Sequence, residues 1–499
     1  MYRFEEQSQV SSENFELPFE GKLSEDNRWV IMASLIPWSD FEEEYASIFS
    51  EEIGAPAKSF RMALGALIIK EKLGISDRET VEQVKENPYL QYFIGMSSYK
   101  NETLFDSSML VHFRQRIGVE LVNKINQEMV KKMLEETSST LARLKKKELN
   151  DSFNSGKLIL DATCAPSDIS YPTDLGLLNQ GRKHTEQIID YLYEQVKDKI
   201  GKKPRTYRKI ARKNYLKVAK KRRPRQRQRR NAIKKQLQYI KRNLSHIKKL
   251  ITVGATLSSL SKRQYKMLLV VSEIYRQQLW LYENKKKSIE NRIVSLSQPH
   301  IRPIIRGKAG KTVEFGAKLS ASYFDGYVFL DHISWSNFNE STDLKTQIES
   351  FKNYTGCYPE SVHVDQIYRT VENRAWCKER GIRISGPPLG RPPANISKEK
   401  KKQAAEDEKF RSSIEGKFGQ GKRRFTLNCV MTKLSHTSKT AIAITFLVMN
   451  LSTYLSRLLK DFLCLFFTNL PFLRSGINKS YISIDFNEHK LIVIPSLNN

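Results

Sequence analysis

Apolar residues recur at helical spacing through the first 150 residues of the chain. Gly74 ends the first strong apolar run, and Ser76 and Glu79 have the spacing of a capping box at the start of the next helix, which ends at Pro88. Short helices joined by tight turns are compatible with a helix-turn-helix DNA-binding unit, and a helical packing domain is an equally good interpretation. We predict a helical N-terminal domain over residues 1–150 and assign it to DNA binding.

The hydrophobic pattern then changes from helical spacing to short runs typical of strands. Residues 158–160 form a continuous apolar run, typical of a buried strand, and this run ends on Asp161. Residues 313–321 alternate apolar and polar with a period of two. An Asp-Gly pair next predicts a hairpin turn into a third strand at residues 327–330.

The mixture of strands and helices continues toward the C-terminus. A helix with one apolar face begins near residue 342, and a fourth strand at residues 361–364 ends on a second aspartate, Asp365. A fifth strand is predicted at residues 382–385. Helical sequence returns soon afterwards and carries Glu415.

Between the first strand and the hairpin, residues 176–298 return to helical spacing and become strongly basic. Two apolar repeats predict an antiparallel helical hairpin that turns near Gly254. The first repeat alternates steps of four and three and consists of Ile233, Leu237, Ile240, Leu244, Ile247 and Ile251. The second has steps of seven and consists of Leu268, Tyr275, Tyr282 and Ile289.

Residues 201–250 contain 22 lysines and arginines and no acidic residue, in a chain whose formal net charge is +30. A run of charge is ordinarily a solvated helix face, but a run without acidic partners destabilises itself by repulsion. Contact with the DNA backbone relieves that repulsion. We assign DNA contacts within this stretch to Arg222, Arg223, Arg225, Arg227, Arg229 and Arg230.

Without the basic insertion, the elements run strand, two-stranded hairpin, helix, strand, helix, strand, helix. This is the order of the RNase H-like fold. We predict an α/β protein with a mixed five-stranded sheet and flanking helices, in which the first and fourth strands are central neighbours. The predicted catalytic domain comprises residues 151–175 and 299–470, the basic helical hairpin is an insertion at 176–298, and 471–499 form a C-terminal tail.

Three carboxylates fall where this fold would bring them together. Asp161 and Asp365 end neighbouring strands, and Glu415 lies on a late helix. Each aspartate alone is weak evidence, because strands often end on Asp for turn formation. Clustered carboxylates repel one another, and divalent cations relieve that repulsion. Oxygen donors without a cysteine or histidine cluster favour two Mg²⁺ ions, or Mn²⁺, over zinc.

Four segments resemble bacterial insertion-sequence transposases of the group numbered five, which carry an Asp-Asp-Glu (DDE) active site. The segments are DATCAPSDISYPTDL at residues 161–175, EFGAK at 314–318, EGKFGQGKRR at 415–424, and NPYLQYF at 87–93. The resemblance covers residues from about 40 to 455. It implies that Asp161 and Asp365 hold metal ions and that Glu415 completes the second site.

Related transposases carry a Tyr, Arg, Glu, Lys signature around the glutamate. Arg411, Glu415 and Lys422 match three of its members in spacing, while Glu408 stands where the tyrosine is expected. Spacings of four and seven place the matching residues on one helical face, where the cations would hold phosphates. The further DNA contacts that we assign are Lys318, Arg423 and Arg424. Three glycines weaken this helix, so its first turns are expected to be irregular.

The resemblance implies a DNA transposase that hydrolyses phosphodiester bonds at element ends and transfers the freed 3′-hydroxyls into target DNA. Its partners would be double-stranded DNA, as terminal inverted repeats and target, and a second copy of the chain on paired ends. Five scattered cysteines favour a reducing cytoplasm, with the protein at the nucleoid. The apolar stretch at residues 441–449 is interpreted as a buried helix too short to span a membrane.

Three other functions remain open: another RNase H-like nuclease or resolvase, a non-catalytic transposase-derived DNA-binding protein, and a basic coiled-coil scaffold for ribosomal RNA or membrane. Among competing residues, Asp168 and Asp174 are assigned structural or capping roles, and Asp331 is interpreted as exposed. The basic run at residues 182–184 contacts DNA or begins a solvated helix.

Overall fold

A computed structural model of the chain describes residues 2, 11–17, 21–50, 56–142, 154–308, 311–387, 397–468, 481–485 and 490–494. The chain divides into two compact units, Met1–Met449 and Asn450–Asn499. In the second unit, strands Tyr481–Asp485 and Lys490–Ile494 pair antiparallel. The predicted domain boundaries at residues 150 and 470 lie outside the described residues.

The N-terminal region is helical, as predicted. Its helices are α1 (Arg28–Leu35), α2 (Glu42–Ala46), α3 (Phe60–Leu73), α4 (Asp77–Glu86), α5 (Pro88–Phe93) and α6 (Met109–Ala142). Gly74 ends α3 with a φ of 67°, a conformation that glycine adopts without strain. The Ser76 hydroxyl accepts a hydrogen bond from the Glu79 amide at 3.1 Å and caps α4.

Buried polar contacts join these helices to later parts of the chain. The Asn123 amide on α6 donates to the Leu330 carbonyl at 3.0 Å. The buried Glu71 carboxylate on α3 accepts three hydrogen bonds, from the Thr426 amide at 2.9 Å and from the Thr426 and Thr445 hydroxyls at 2.8 Å each. A carboxylate removed from water needs such donors, so α3 is fixed to this C-terminal segment.

Six strands of the described residues form one mixed sheet. They are β1 (Lys157–Pro166), β2 (Arg302–Lys308), β3 (Lys311–Phe324), β4 (Tyr327–Ser334), β5 (Ser361–Val364) and β6 (Arg383–Ile384). β3 pairs antiparallel with β1 on one edge and with β2 and β4 on the other. β5 lies parallel to β1, and β6 lies parallel to β5. The predicted adjacency of the first and fourth strands is confirmed by the pairing of β1 with β5.

The prediction of five strands was wrong because it omitted β2. Pro303 interrupts the apolar pattern of that segment, and proline is confined largely to edge strands. β2 borders only the first part of β3, from Val313 to Gly316. The sequence of such an edge strand does not alternate regularly between apolar and polar residues, so its pattern does not predict a strand.

Helices cover both faces of the central strands. Leu158 and Leu160 on β1, with their neighbours on β5, pack against α11 (Leu344–Thr355). The helix α12 (Val371–Glu379) connects β5 to β6. On the other face, His363 contacts the Phe410 ring of α13 (Lys398–Arg424) at a centroid distance of 4.9 Å. Because side chains alternate along a strand, Asp161 and Asp365 belong to this second face.

The basic insertion is a bundle of four helices that includes the predicted hairpin, whose two helices are joined by a turn containing Gly254. The helices are α7 (Asp174–Val196), α8 (Arg208–Ala219), α9 (Gln226–Thr252) and α10 (Lys262–Glu283). α8 and α10 each pack against both α7 and α9. In the predicted α9 seam, Ile251 is exposed and Leu250 is buried instead, because α7 widens the buried face.

Arg182 belongs to the interior of this bundle. Its guanidinium pairs with the Glu186 carboxylate and donates to the Asn179 side chain at 2.9 Å, and the residue is only 2% exposed. The proposed DNA contact of residues 182–184 therefore does not include Arg182.

The last helix of the first unit continues past its boundary, as α14 (Ser435–Thr468). Ile442, Phe446 and Met449 are buried, which confirms the interpretation of residues 441–449 as a buried helix. The segment Ser435–Lys460 is nevertheless long and apolar enough to span a membrane, with 56% of its most apolar window buried in the protein. Core helices of water-soluble proteins also satisfy this test, so length and composition do not indicate a membrane protein.

The interpretation of Asp331 as exposed was wrong. The residue is half-buried, and its carboxylate accepts hydrogen bonds from the Ser322 hydroxyl at 3.2 Å and the Gln347 amide at 2.8 Å. Burial raises the pKa of Asp331 to about 7, against the lowering effect of these two donors. The folded protein therefore holds a proton that the unfolded chain releases at lower pH.

We expect stability to fall as pH rises from about 4 to about 7, because unfolding lets Asp331 ionise in water. Asp331→Asn should reduce this pH dependence by roughly 1–4 kcal/mol, since one pKa unit corresponds to about 1.4 kcal/mol. Urea unfolding across this pH range measures it. Asp198→Asn removes an exposed carboxylate and should leave the dependence unchanged. An unchanged dependence in Asp331→Asn would contradict the assignment.

Candidate active site

The parallel ladder between β1 and β5 places two aspartates side by side. Its last paired residues are Leu160 and Val364, and Asp161 and Asp365 follow them directly. Adjacent strands lie about 4.8 Å apart, so the two carboxylates start from neighbouring positions on one face of the sheet. The prediction that Asp161 ends its strand was wrong, because β1 continues to Pro166 along β3. Asp161 ends only the ladder with β5.

Glu415 comes from α13, which packs against β1 and β5 on the same face. Ile414 and Phe418 are buried beneath the helix, whereas the Glu415 side chain is 53% exposed. The prediction that the first turns of this helix are irregular was wrong. α13 is continuous from Lys398 to Arg424, through all three glycines. At Gly421 a Cβ atom would lie 3.0 Å from the Met449 sulfur, so this glycine allows close packing against α14.

The three predicted acids line one cleft with a volume of about 1050 Å³. Its other lining residues include Glu340, Lys318, Arg411, Lys422, Ile304, Ile305 and Ile367. Within the described residues, no group of three or more His, Cys, Asp or Glu side chains lies close enough to hold a metal ion. The acids therefore share a cleft without converging on one point.

Arg411 supplies positive charge among these acids. Its guanidinium donates to the Glu408 carboxylate at 2.7 and 3.2 Å and lies 3.6 Å from a Glu415 oxygen. These hydrogen bonds to Glu408, followed by the charges of Asp161 and Asp365, raise the pKa of Arg411 above its ordinary value. The arginine thus offsets part of the repulsion within the site.

The carboxyl of Asp161 is the most strongly perturbed acid of the cleft. Its pKa is raised to about 6, mainly by burial and also by the negative charges of Glu340 and Glu415. The Ala162 amide, which donates to Asp161 at 2.8 Å, and the charge of Arg411 act in the opposite direction. A carboxyl held in this way favours a cationic partner over exposure to its acidic neighbours.

Glu340 is a cleft residue that the sequence analysis missed. It follows β4 in a loop, and a single acid in a polar loop gives no signal in sequence. Its carboxylate lies 2.8 Å from the Lys318 ammonium group, which also donates to the Phe338 carbonyl at 2.7 Å. Lys318, predicted as a DNA contact, is 8% exposed and held in the wall of the cleft by these two acceptors.

The three basic residues at the end of α13 lie in different surroundings. Lys422 lines the cleft, whereas Arg423 and Arg424 are exposed and do not line it. Burial, followed by the charges of Arg28 and Arg424, lowers the pKa of Lys72 to about 8. Arg424 therefore lies near cations of the N-terminal helices.

The predicted arginines of the insertion also fall into two groups. The exposed ones are Arg222, Arg223, Arg225, Arg227 and Arg229. Arg230 is half-buried, with its guanidinium 4.2 Å from the centre of the Tyr282 ring and a 3.0 Å hydrogen bond to the Tyr282 carbonyl. Five of the six side chains are accessible to a polyanion, and the sixth connects α9 to α10.

Two segments of the chain match known protein families. Residues 17–116 match the family described as a transposase domain, and residues 362–452 match the transposase DDE domain. Asp365 and Glu415 lie inside the second segment, and Asp161 lies outside both.

A curated relative is the uncharacterised protein ORF8 in the nfe locus of Rhizobium meliloti. It is 30% identical over 145 residues, which cover 29% of this chain and 64% of that protein. No solved structure matches the chain.

Proposed function

The chain belongs to the insertion-sequence transposases of the DDE type, and from that premise we propose that it cuts DNA at the ends of a mobile element and joins them to target DNA. The observation that carries this proposal is the placement of Asp161 and Asp365 on adjacent parallel strands, in one cleft with Glu415. Three acids from separate elements repel one another unless cations bind among them. Metal-assisted phosphoryl transfer uses such cations.

We propose that the catalytic domain is RNase H-like and comprises residues 151–175 and 299–470. Its sheet supports this assignment, because antiparallel strands lie on one side of β1 and parallel strands on the other. The helical insertion at 176–298 leaves the sheet after β1 and returns before β2. Residues 1–150 would supply further DNA contacts.

Asp161, Asp365 and Glu415 would hold two Mg²⁺ ions, or Mn²⁺ in their place. Their oxygen donors suit these hard cations, and the raised pKa of Asp161 marks a pocket where burial and neighbouring acids favour a cation. The chemistry that such ions supply is Lewis acidity toward an attacking water or 3′-hydroxyl and toward the leaving oxygen at phosphorus.

The basic residues of the cleft would position the DNA strand. Lys318 and Lys422 line the cleft beside the acids and are suited to hold phosphates on either side of the reacting one. Arg411 is engaged by Glu408 and Glu415, so it must exchange these carboxylates for a phosphate when DNA enters. The Glu408 carboxylate would then compete with DNA for the same guanidinium.

We further propose that the partners are the terminal inverted repeats of an element and a target duplex, bound by a homodimer at the nucleoid. The exposed arginines around the start of α9 support a backbone contact, since residues 201–250 contain no acid to neutralise them. A resolvase or other nuclease of this fold does not require such an insertion, and a non-catalytic relic does not require an intact set of acids.

Cleavage of a duplex that carries the element end, with and without Mg²⁺, tests the proposal. Asp365→Asn should lower the cleavage rate by roughly a thousandfold or more, because metal-assisted stabilisation of the transition state amounts to several kcal/mol. Asp168→Asn makes the same change at an exposed carboxylate outside the cleft and should cleave normally.

Native protein that binds the ends but does not cut them would favour the non-catalytic alternative. Cleavage undiminished in Asp365→Asn would place the active site elsewhere.

Removing the carboxylate that competes for Arg411 should strengthen binding of element ends. We expect Glu408→Gln to bind about two- to fivefold more tightly, the range that the loss of an exposed ion pair allows. Fluorescence anisotropy in Ca²⁺ or EDTA measures binding without cleavage. Glu406→Gln, an exposed carboxylate on the same helix, controls for the change in net charge. Equal gains in both variants would show that Glu408 has no specific role.

The salt dependence of DNA binding tests the arginines of the insertion. Replacing Arg225 and Arg227 together by Gln should lower the slope of log affinity against log salt by about two, since each phosphate contact contributes roughly 0.9. Arg230→Gln should instead lower thermal stability with little change in slope, because Arg230 packs on Tyr282. An unchanged slope in the double variant would show that Arg225 and Arg227 do not contact DNA phosphates.

A further inference from the structure

The outer face of α10 exposes large apolar side chains on a helix whose inner face is already occupied. Met267, Val271 and Ile274 face the bundle and belong to its core. On the outside, Leu269 is 56% exposed and Trp280 is 40% exposed. Such side chains on one line of a helix are typical of a surface that another helix covers.

The two apolar residues belong to a stripe of six side chains along α10. Steps of three and four residues keep them on one side of the helix. In chain order they are Lys266, Leu269, Glu273, Arg276, Trp280 and Glu283. Five are exposed and Glu273 is half-buried. These six side chains carry two positive and two negative charges, and the exposed Lys262 lies one turn before them on the same side.

Read in opposite directions on two copies of the helix, these six residues pair charge with opposite charge and apolar side chain with apolar side chain. Suppose that a second copy of the stripe runs antiparallel to the first, about a two-fold axis between residues 274 and 275. Lys266 then faces Glu283 of the second copy, Leu269 faces Trp280, and Glu273 faces Arg276. Each contact occurs twice, once on either side of the axis. Self-complementarity of this kind is what an isologous interface requires.

The charges of the central pair are already close within one chain. Arg276 donates to the Glu273 carboxylate at 2.6 and 2.8 Å. In the antiparallel pair, these two residues and their symmetry mates form a compact group of two arginines and two glutamates. Each charge then has opposite charges on both helices, and the apolar contacts on either side exclude water from the group.

The electrostatics of the whole module favour a second copy on this face. Two chains with a net charge of +30 repel each other unless they meet through neutral surfaces. Residues 201–250, which form α8 and nearly all of α9, carry 22 positive charges and no negative charge. α8 packs against α7 and α9 and has no extensive contact with α10. A contact through the exposed side of α10 therefore need not cover α8.

We propose that the α10 stripe is the surface through which two copies of this chain associate, as an antiparallel pair of helices. The contact spans 18 residues, or about 27 Å at 1.5 Å per residue. A single helix pair of this length buries little area, so the dimer should have a roughly micromolar dissociation constant. This surface deepens the homodimer of the proposed function and rests on that part of it. Its test needs neither DNA nor cleavage, so its failure would leave the proposed cutting and joining of DNA standing.

Charge reversal tests the register directly. Sedimentation equilibrium of the full chain at about 0.3 M salt, where repulsion between the basic faces is screened, should show a concentration-dependent dimer. Glu273→Arg places arginine against arginine, and Arg276→Glu places glutamate against glutamate. Each variant alone should associate at least about tenfold more weakly than the native chain. Mixing the two in equal amounts should restore native association, because the heterodimer regains opposite charges.

Arg263→Glu serves as the matched control, since it reverses an exposed charge of α10 outside the stripe. It should associate like the native chain, and circular dichroism should show that all variants retain native helix content. A native chain that stays monomeric throughout the micromolar range would overturn the proposal. So would single variants that dimerise normally, or a mixture of the two variants that remains monomeric.

Discussion

The parallel pairing of β1 with β5 is the constraint on which the candidate site depends. Asp161 and Asp365 follow the last residue pair of this ladder, so backbone hydrogen bonding fixes the separation of their backbones. Other groups of the cleft act on the charges of these acids and of Glu415. Arg411 lies among the acids, Lys318 is fixed to Glu340 in the cleft wall, and burial raises the pKa of Asp161. The candidate site thus holds acidic and basic side chains together in one cleft.

The sequence predicted the parts of the fold that have a single strong pattern. The apolar runs that precede Asp161 and Asp365 identified both strands, and the order of elements identified them as neighbours. Strand periodicity also explains why both aspartates share a face with α13. The edge strand β2 was missed because Pro303 breaks its pattern. The apolar repeats predicted the α9–α10 hairpin, but not that α7 and α8 would pack against it to complete a bundle of four helices.

The candidate site was predicted unevenly for a related reason. Asp161 and Asp365 directly follow short apolar runs, and Glu415 lies in a segment that resembles a known family. All three line the cleft. Glu340 has no such mark, because its proximity to Lys318 arises only when the loop after β4 folds over β3. The burial of Asp331 was missed similarly, since the contacts of that carboxylate come from β3 and α11. Side-chain environments that depend on three elements at once leave no local pattern in a sequence.

The buried Glu71 carboxylate has a consequence for how this chain can change in evolution. Its partners, Thr426 and Thr445, lie in the second matched segment, while Glu71 lies in the first. In the folded chain, a substitution that removed the Thr426 or Thr445 hydroxyl would leave the buried carboxylate short of donors. A change in one segment at this contact is therefore constrained by the other, although the α7–α10 bundle lies between them along the chain.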